Sequence, residues 1–303
     1  MIDVALLGTG GMMPLPGRWL SSFLVRADGH LTLFDCGEGT QIAWRKVGWS
    51  FRRLGAICIS HTHADHIAGL PGLLHAIANA GRIEPLDIFG PVGTASVVDG
   101  LRTIAPVLPF DMRVTELRGD EQFSLPGELS GSCVAGKHAL PVLAYRLERS
   151  RQPAFLAERA CELTIPVHLW STLQSGERVI WEGGSATPAQ VLGAPRRGLA
   201  VAYVTDTRPL AEIVAFVAGV DLLVCEGTYG SDDDEGKALR NSHMTFREAA
   251  TLARDARVAR LWITHFSPAM DDPAQFAESA SAVFAETTIG LDGLTDQLTF
   301  SAE

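Results

Sequence analysis

The segment Ser60-His61-Thr62-His63-Ala64-Asp65-His66-Ile67 constrains this chain more than any other. It sets three imidazoles and one carboxylate within six positions, directly after the apolar run Ala56 to Ile59, which reads as a buried strand. Imidazoles at alternate positions of an extended segment point the same way. Asp65 and His66 instead open the helix predicted by the spacing of Ile67, Leu70, Leu73, Leu74 and Ile77. The two pairs therefore aim at neighbouring points, an arrangement that supplies ligands to two adjacent metal ions. Zinc suits imidazole and carboxylate, and a catalytic site keeps one position open for water. A polar loop that merely holds histidines is the competing reading, and the density of the string argues against it.

The rest of the chain suits a layered α/β fold. Of its 303 residues 47% are hydrophobic, enough for a sizeable core. Strand-like runs recur at Val4 to Leu7, Leu31 to Phe34, Val201 to Val204, Leu222 to Cys225 and Leu261 to Thr264. Helical periodicities separate several of them, whereas Met112 to Leu147 reads as successive strands, so mixed sheets are expected. The five cysteines are scattered and never form C-x-x-C, which predicts reduced core thiols, and the acidic run Asp232 to Glu235 reads as a solvated loop. The longest apolar stretch, Ile213 to Val220, falls short of the roughly 20 residues that span a bilayer. With no basic leader at the N-terminus, a cytoplasmic protein without membrane contact is expected. A net charge of −10 offers no global field for a polyanion, so any nucleic-acid contact must be local. Residues 146–198, with seven Arg against five Glu, are the best candidate, as a substrate-binding arm or a lid within an otherwise single hydrolase domain spanning 1–303.

At the histidine string the chain resembles the metallo-β-lactamase superfamily, whose fold is an αββα sandwich of two mixed sheets flanked by helices. The resemblance continues downstream, where His138, Asp206 and His265 each follow a strand-like run in the expected order. It implies that His61, His63 and His138 hold one zinc ion, that Asp65, His66 and His265 hold a second, and that Asp206 bridges them. Manganese is the alternative metal. Asp35, in Phe34-Asp35-Cys36-Gly37, resembles the superfamily's early Asp that orients the histidine loop, although it also reads as a turn former. His30, His75 and His168 lack such company and read as structural.

Further motifs resemble the ribonuclease Z family: Leu7-Gly8-Thr9-Gly10-Gly11, Asp35-Cys36-Gly37-Glu38-Gly39-Thr40-Gln41, Gly69-Leu70-Pro71-Gly72 and Asp206-Thr207-Arg208-Pro209. Glu226-Gly227-Thr228 and Ser242-His243-Met244-Thr245 resemble the segments in which a glutamate and a histidine protonate the leaving group. The catalytic set implied is Asp65, His243 and Glu226. Cleavage of precursor tRNA at its 3′ end, leaving a tRNA 3′-hydroxyl and a 5′-phosphate trailer, is the implied activity, and a homodimer the implied assembly. Substrate contacts are expected at Arg18, Thr245, Arg146 and Arg149, with Arg18 alternatively packing in its loop. Three departures touch substrate recognition: Cys225 and Gly227 where the family has His and Ala, no Arg soon after His265, and no Gly-Pro pair in Ile165 to Trp170. The alternative is a small-molecule metallohydrolase of the same fold, acting on a cyclic nucleotide, a phosphonate or another ester. A relative that has lost its metals is disfavoured by the complete ligand set.

Overall fold

Alternation along the strands sets the architecture. In strand Ile2–Gly8, Val4 and Leu6 enter one buried cluster while Ala5 and Leu7 enter another, so both faces are covered. The same division recurs at Val201 and Tyr203 against Ala202 and Val204. Strands buried on both faces need a covering layer on each side, and here one layer is a second sheet and the other is helical. The computed structural model, which describes residues 1–300, has that layering and bears out the expected αββα sandwich.

One seven-stranded sheet runs in the order Leu294–Leu298, Ile2–Gly8, Ser22–Ala27, His30–Phe34, Leu54–Cys58, Leu86–Pro91 and Met112–Leu117. The other, also seven-stranded, runs Thr287–Ile289, Leu261–Thr264, Leu222–Glu226, Arg196–Val204, Leu143–Arg151, Leu129–Ala135 and Gln122–Leu125. Each mixes parallel strands, such as His30–Phe34 beside Leu54–Cys58 or Leu222–Glu226 beside Leu261–Thr264, with antiparallel ones. Between the sheets, Phe23 and Phe34 meet Tyr145 and Tyr203 with ring centroids 5.7–6.0 Å apart. Helix Leu70–Asn79 covers the first sheet's outer face through Leu70, Leu73, Leu74 and Ile77. Helix Phe246–Asp255 covers the second through Phe246, Ala249, Leu252 and Ala253, and its start is fixed by a reciprocal cap between Thr245 and Glu248.

The chain divides into two compact units, Ser150–Gly198 and the remainder. The smaller unit contains helices Ala157–Glu162 and Trp170–Gln174 and the hairpin Val179–Trp181 with Gly184–Ala186. Its own core is Ala160, Ile165, Leu173, Val179, Ala186 and Val191, lined by Phe155, Trp170 and Trp181. Two expectations change. Cys161 is exposed on its helix, while the other four cysteines are buried; all five are free. Asp232–Asp234 forms a turn of 3-10 helix because the Ser231 side chain accepts from the Asp233 N–H and caps it. Among the described residues no helix is long and apolar enough to cross a membrane.

The aromatic contact between the sheets gives a direct test of this packing. Phe23→Ala should lower the unfolding free energy by about 3–5 kcal/mol, read from the urea midpoint followed by circular dichroism.

Candidate metal centre

Strand ends deliver most of the site. His61 and His63 follow strand Leu54–Cys58, and the short helix Ala64–Ile67 carries Asp65 and His66. Asp206 follows Arg196–Val204, Glu226 closes Leu222–Glu226, His265 follows Leu261–Thr264, and His138 lies in the loop after Leu129–Ala135. At three strand ends the backbone turns left-handed, with φ of 55° at Asp35, 49° at Asp206 and 61° at His265. Asp and His accept this region more readily than most non-glycine residues, and the bend directs each side chain inward.

Seven residues converge in two groups. The donor atoms of His61, His63, His138 and Asp206 lie within 4.8 Å of one another, as do those of Asp65, His66 and His265. His63 presents Nδ1, 2.8 Å from His61 Nε2 and 3.2 Å from His138 Nε2. Nε2 of His66 and Nε2 of His265 are 3.2 Å apart, and Asp65 Oδ2 lies 3.5 and 3.4 Å from them. Asp206 faces both groups. Its Oδ1 is 3.2 Å from His66 Nε2 and 3.1 Å from His265 Nε2, while Oδ2 is 3.6 Å from His61 Nε2 and 3.8 Å from His138 Nε2. Donors held at about 2.0–2.1 Å around a tetrahedral zinc stand roughly 3.3 Å apart. The spacing therefore fits a divalent cation in each group, and nitrogen lone pairs this close repel unless a proton or a metal cation lies between them.

For His61, His66 and His265 the outward Nδ1 is held by another side chain, which leaves Nε2 facing the centre. His66 Nδ1 meets Asp35 Oδ2 at 2.7 Å, His61 Nδ1 meets Ser60 Oγ at 3.1 Å, and His265 Nδ1 meets Thr228 Oγ1 at 3.0 Å. Asp35 thus orients the histidine loop as well as making a turn. It accepts from the Ser60 N–H at 2.7 Å, the Ser60 hydroxyl at 2.8 Å and the Tyr203 hydroxyl at 2.9 Å. Ser60, Tyr203 and Thr228 have no local sequence signal that would single them out. The main-chain N–H of Met12, 2.6 Å from Asp65 Oδ2, is equally unheralded.

Burial, reinforced by the neighbouring His66 charge, holds His61 well below the usual imidazole range, and burial lowers His138 likewise, so both favour the neutral form that ligates. Burial opposes charge on Asp65 and Asp206, but the surrounding imidazoles more than offset it and keep both carboxyls well below their ordinary range.

A second pair stands beside this centre. His243 Nδ1 lies 3.1 Å from Glu226 Oε2 and 3.9 Å from Asp206 Oδ2. Glu226 is fully buried and accepts from the Thr207 N–H at 2.6 Å, the Thr228 hydroxyl at 2.7 Å and the Met244 N–H at 3.0 Å. Burial disfavours the imidazolium of His243, yet the Glu226 charge and hydrogen bond push its pKa up to about 9. Arg208 ties the His243 carbonyl to the Glu248 carboxylate and so fixes the segment.

The expected substrate contacts are engaged elsewhere. Arg18 donates to the Asp271 carbonyl at 2.8 Å and lies beside Phe266, which is the loop-packing alternative. The Thr245 hydroxyl is occupied by the helix cap and is buried. Arg146 and Arg149 sit on strand Leu143–Arg151, outside the compact unit Ser150–Gly198. Arg146 bonds the Phe216 and Ala218 carbonyls at 2.8 and 3.0 Å, and Arg149 pairs with Asp28 at 2.6 Å. The strand carries on past the boundary that charge counting suggests; Arg146 caps carbonyls at the end of helix Ala211–Phe216 and Arg149 neutralises a turn of the other sheet.

Comparison with known proteins agrees with this geometry. Residues 2–90 match the family model described as Anti-Pycsar protein Apyc1, and residues 184–266 match one described as a Beta-lactamase superfamily domain. The fold resembles that of the short form of human tRNase Z, with a TM-score of 0.72 and 24% identity over 98% of this chain and 100% of that one. It also resembles the metallo-β-lactamase fold protein YhfI of Bacillus subtilis, with a TM-score of 0.70 and 20% identity over 97% and 98% of the two chains. Fold and convergent His/Asp groups together define a metal-dependent hydrolase of the metallo-β-lactamase fold. The sequence is 44% identical to a ribonuclease Z of Clostridium kluyveri over 99% of both chains, and 46% identical to one of Lachnospira eligens over 100% of both. The chain belongs to the ribonuclease Z family.

Gly11 explains part of its glycine-rich first motif. A Cβ there would stand 2.6–3.0 Å from three atoms of the His265 ring. Gly11→Ala should therefore displace His265 and lower bound metal in the purified protein, measured by elemental analysis, with the circular dichroism spectrum retained.

Proposed function

We propose that this protein is a cytoplasmic endoribonuclease that cleaves precursor tRNA at its 3′ end, leaving a tRNA 3′-hydroxyl and a trailer with a 5′-phosphate. Identity of 44–46% to curated ribonuclease Z proteins along the whole chain carries the reading. In it, His61, His63 and His138 hold one zinc ion, Asp65, His66 and His265 hold another, and Asp206 serves both, with manganese as the alternative metal. Bound there, the two ions make water acidic near neutral pH and offset charge on phosphate oxygens. Asp65 takes the proton of the attacking water. His243, oriented through Nδ1 by Glu226, presents Nε2 to protonate the departing 3′ oxygen. The O–P bond to water forms as the P–O3′ bond breaks. The compact unit Ser150–Gly198, with five Arg against four Glu, is the arm that grips tRNA, and two copies of the chain associate as a homodimer.

Incubation of zinc-loaded protein with a precursor tRNA and, in parallel, with bis-p-nitrophenyl phosphate tests the substrate. A single cut at the trailer junction is expected. Hydrolysis of the chromogenic ester with no cut in tRNA would return the small-molecule reading.

Single substitutions separate the roles. Asp65→Ala should abolish both activities in a protein that remains folded by circular dichroism, since one change removes a ligand and the proton acceptor. His243→Ala should lower the cleavage rate by about 10²–10⁴ while bound metal stays constant. Loss of metal from that variant would instead make His243 a ligand, as its place beside Asp206 and His265 permits.

The arm is tested at exposed Arg159 and Arg178. Charge reversal at both should weaken tRNA binding and reduce the log–log salt slope by about 0.9 or less for each phosphate that is no longer neutralised. Hydrolysis of bis-p-nitrophenyl phosphate should hardly change. An equal fall in activity on both substrates would make the unit a lid.

A further inference from the structure

A second polar cavity, of about 410 Å³, lies at the other end of the strands that lead to the metal centre. Gly55 lies on its wall, and strand Leu54–Cys58 runs from there toward His61. At about 3.3 Å per residue in extended chain, the two places are separated by roughly 20 Å.

The cavity is lined by Arg52, Arg53, Arg82 and His30, together with the carboxylates Glu84 and Asp87. Asp87 is already committed to Arg113, with bonds of 2.7 and 2.9 Å. Three guanidinium groups then face one remaining carboxylate, in a chain whose net charge is −10. Arg82 is the fixed member, only 6% exposed. Its Nη1 donates to the Arg52 carbonyl at 3.1 Å and its Nη2 to the Pro85 carbonyl, which pins the two loops together. Its Nε–H is buried and has no partner. That atom is enclosed by protein, so Arg82 holds the loops while the exposed guanidinium groups of Arg52 and Arg53 offer their forks to the cavity.

The chemistry selects the acceptor. Guanidinium forks match phosphate oxygens in geometry and charge. A concave site of this volume is within the range of roughly 300–1,000 Å³ usual for small ligands, whereas an RNA backbone is ordinarily gripped along a groove. Pro85 and Pro126 add an apolar wall against which a ring can lie. We propose that this cavity binds the phosphate of a nucleotide-sized phosphate ester, at a site independent of the metal centre.

Isothermal titration of the metal-loaded protein with ADP and with inorganic phosphate, at constant ionic strength, tests the proposal. Wild-type protein should bind ADP saturably and more tightly than phosphate. The double variant R52E/R53E alters two exposed side chains and should fold normally. It should weaken ADP binding by about tenfold or more, while hydrolysing bis-p-nitrophenyl phosphate at the wild-type rate without ADP present. R82K keeps the charge but loses the bonds that pin the Arg52 and Pro85 loops together, and should weaken ADP binding as well by loosening the cavity. Unchanged affinity in R52E/R53E would put the ligand at the metal centre and overturn the proposal, as would the absence of saturable binding. Equal affinities for phosphate and ADP would overturn the assignment to an ester. Loss of affinity for an RNA oligomer in R52E/R53E, with no ADP binding in the wild type, would assign the arginines to RNA instead.

Discussion

The carboxylate of Asp206 is 3% exposed and faces His61, His66, His138, His243 and His265 within 3.1–3.9 Å. A carboxylate and five imidazoles cannot be gathered out of water unless their charges and lone pairs are matched, and the fold is arranged around that requirement. Asp35 and the histidine loop leave one sheet, and Asp206, Glu226 and His265 leave the other. Hydrogen bonds between sheets hold the edges in register. The Tyr203 hydroxyl reaches Asp35, the Tyr145 hydroxyl reaches the Ile59 carbonyl at 2.7 Å, and the Leu143 N–H reaches the Ser60 carbonyl at 2.9 Å. The aromatic layer is thus more than filler, since two of its rings carry the hydroxyls that position the site.

The same economy governs the second pair. Glu226 is held by donors from Thr207, Thr228 and Met244 before His243 is counted, so little freedom remains to be lost when a substrate arrives. Thr207 also accepts from the Lys137 N–H at 2.8 Å, which links the His138 loop to the Asp206 strand end. Gly227, where the family has Ala, is accounted for by its neighbours. A Cβ there would stand 2.4 Å from Ile263 Cγ2 and 2.8 Å from Phe246 Cδ1, so larger side chains occupy that space. The departure is one of packing and leaves Glu226 in place.

Much of this was legible because it is local. The histidine string and the strand runs depend on neighbours within a few residues, and periodicity or spacing exposes them. Tyr203 and Asp35 are 168 positions apart, and nothing in either neighbourhood announces the contact. Arg146 and Arg149 show the opposite error. Counting charge in a window grouped them with the excursion that follows, although beside the local Glu148 they are engaged by carbonyls and a carboxylate from distant segments. Arg18, left open between a phosphate contact and packing in its loop, bonds carbonyls of a loop more than 200 positions away. Charge read along a chain locates cations, and only the fold shows which of them are already neutralised.

That distinction bears on how an acidic protein handles a polyanion. Asp35, Asp65, Asp206 and Glu226 put four carboxylates in and around the centre, so without cations the field there repels phosphate except where protonated imidazoles counter it. On the proposed reading, affinity for the scissile phosphate is therefore created by the ions that complete the site, while affinity for the body of the tRNA belongs to the separate unit Ser150–Gly198 with its slight excess of Arg. Splitting recognition from chemistry in this way lets the centre stay dense in carboxylates, as the proposed pair of cations would require, without relying on the overall charge to hold the substrate.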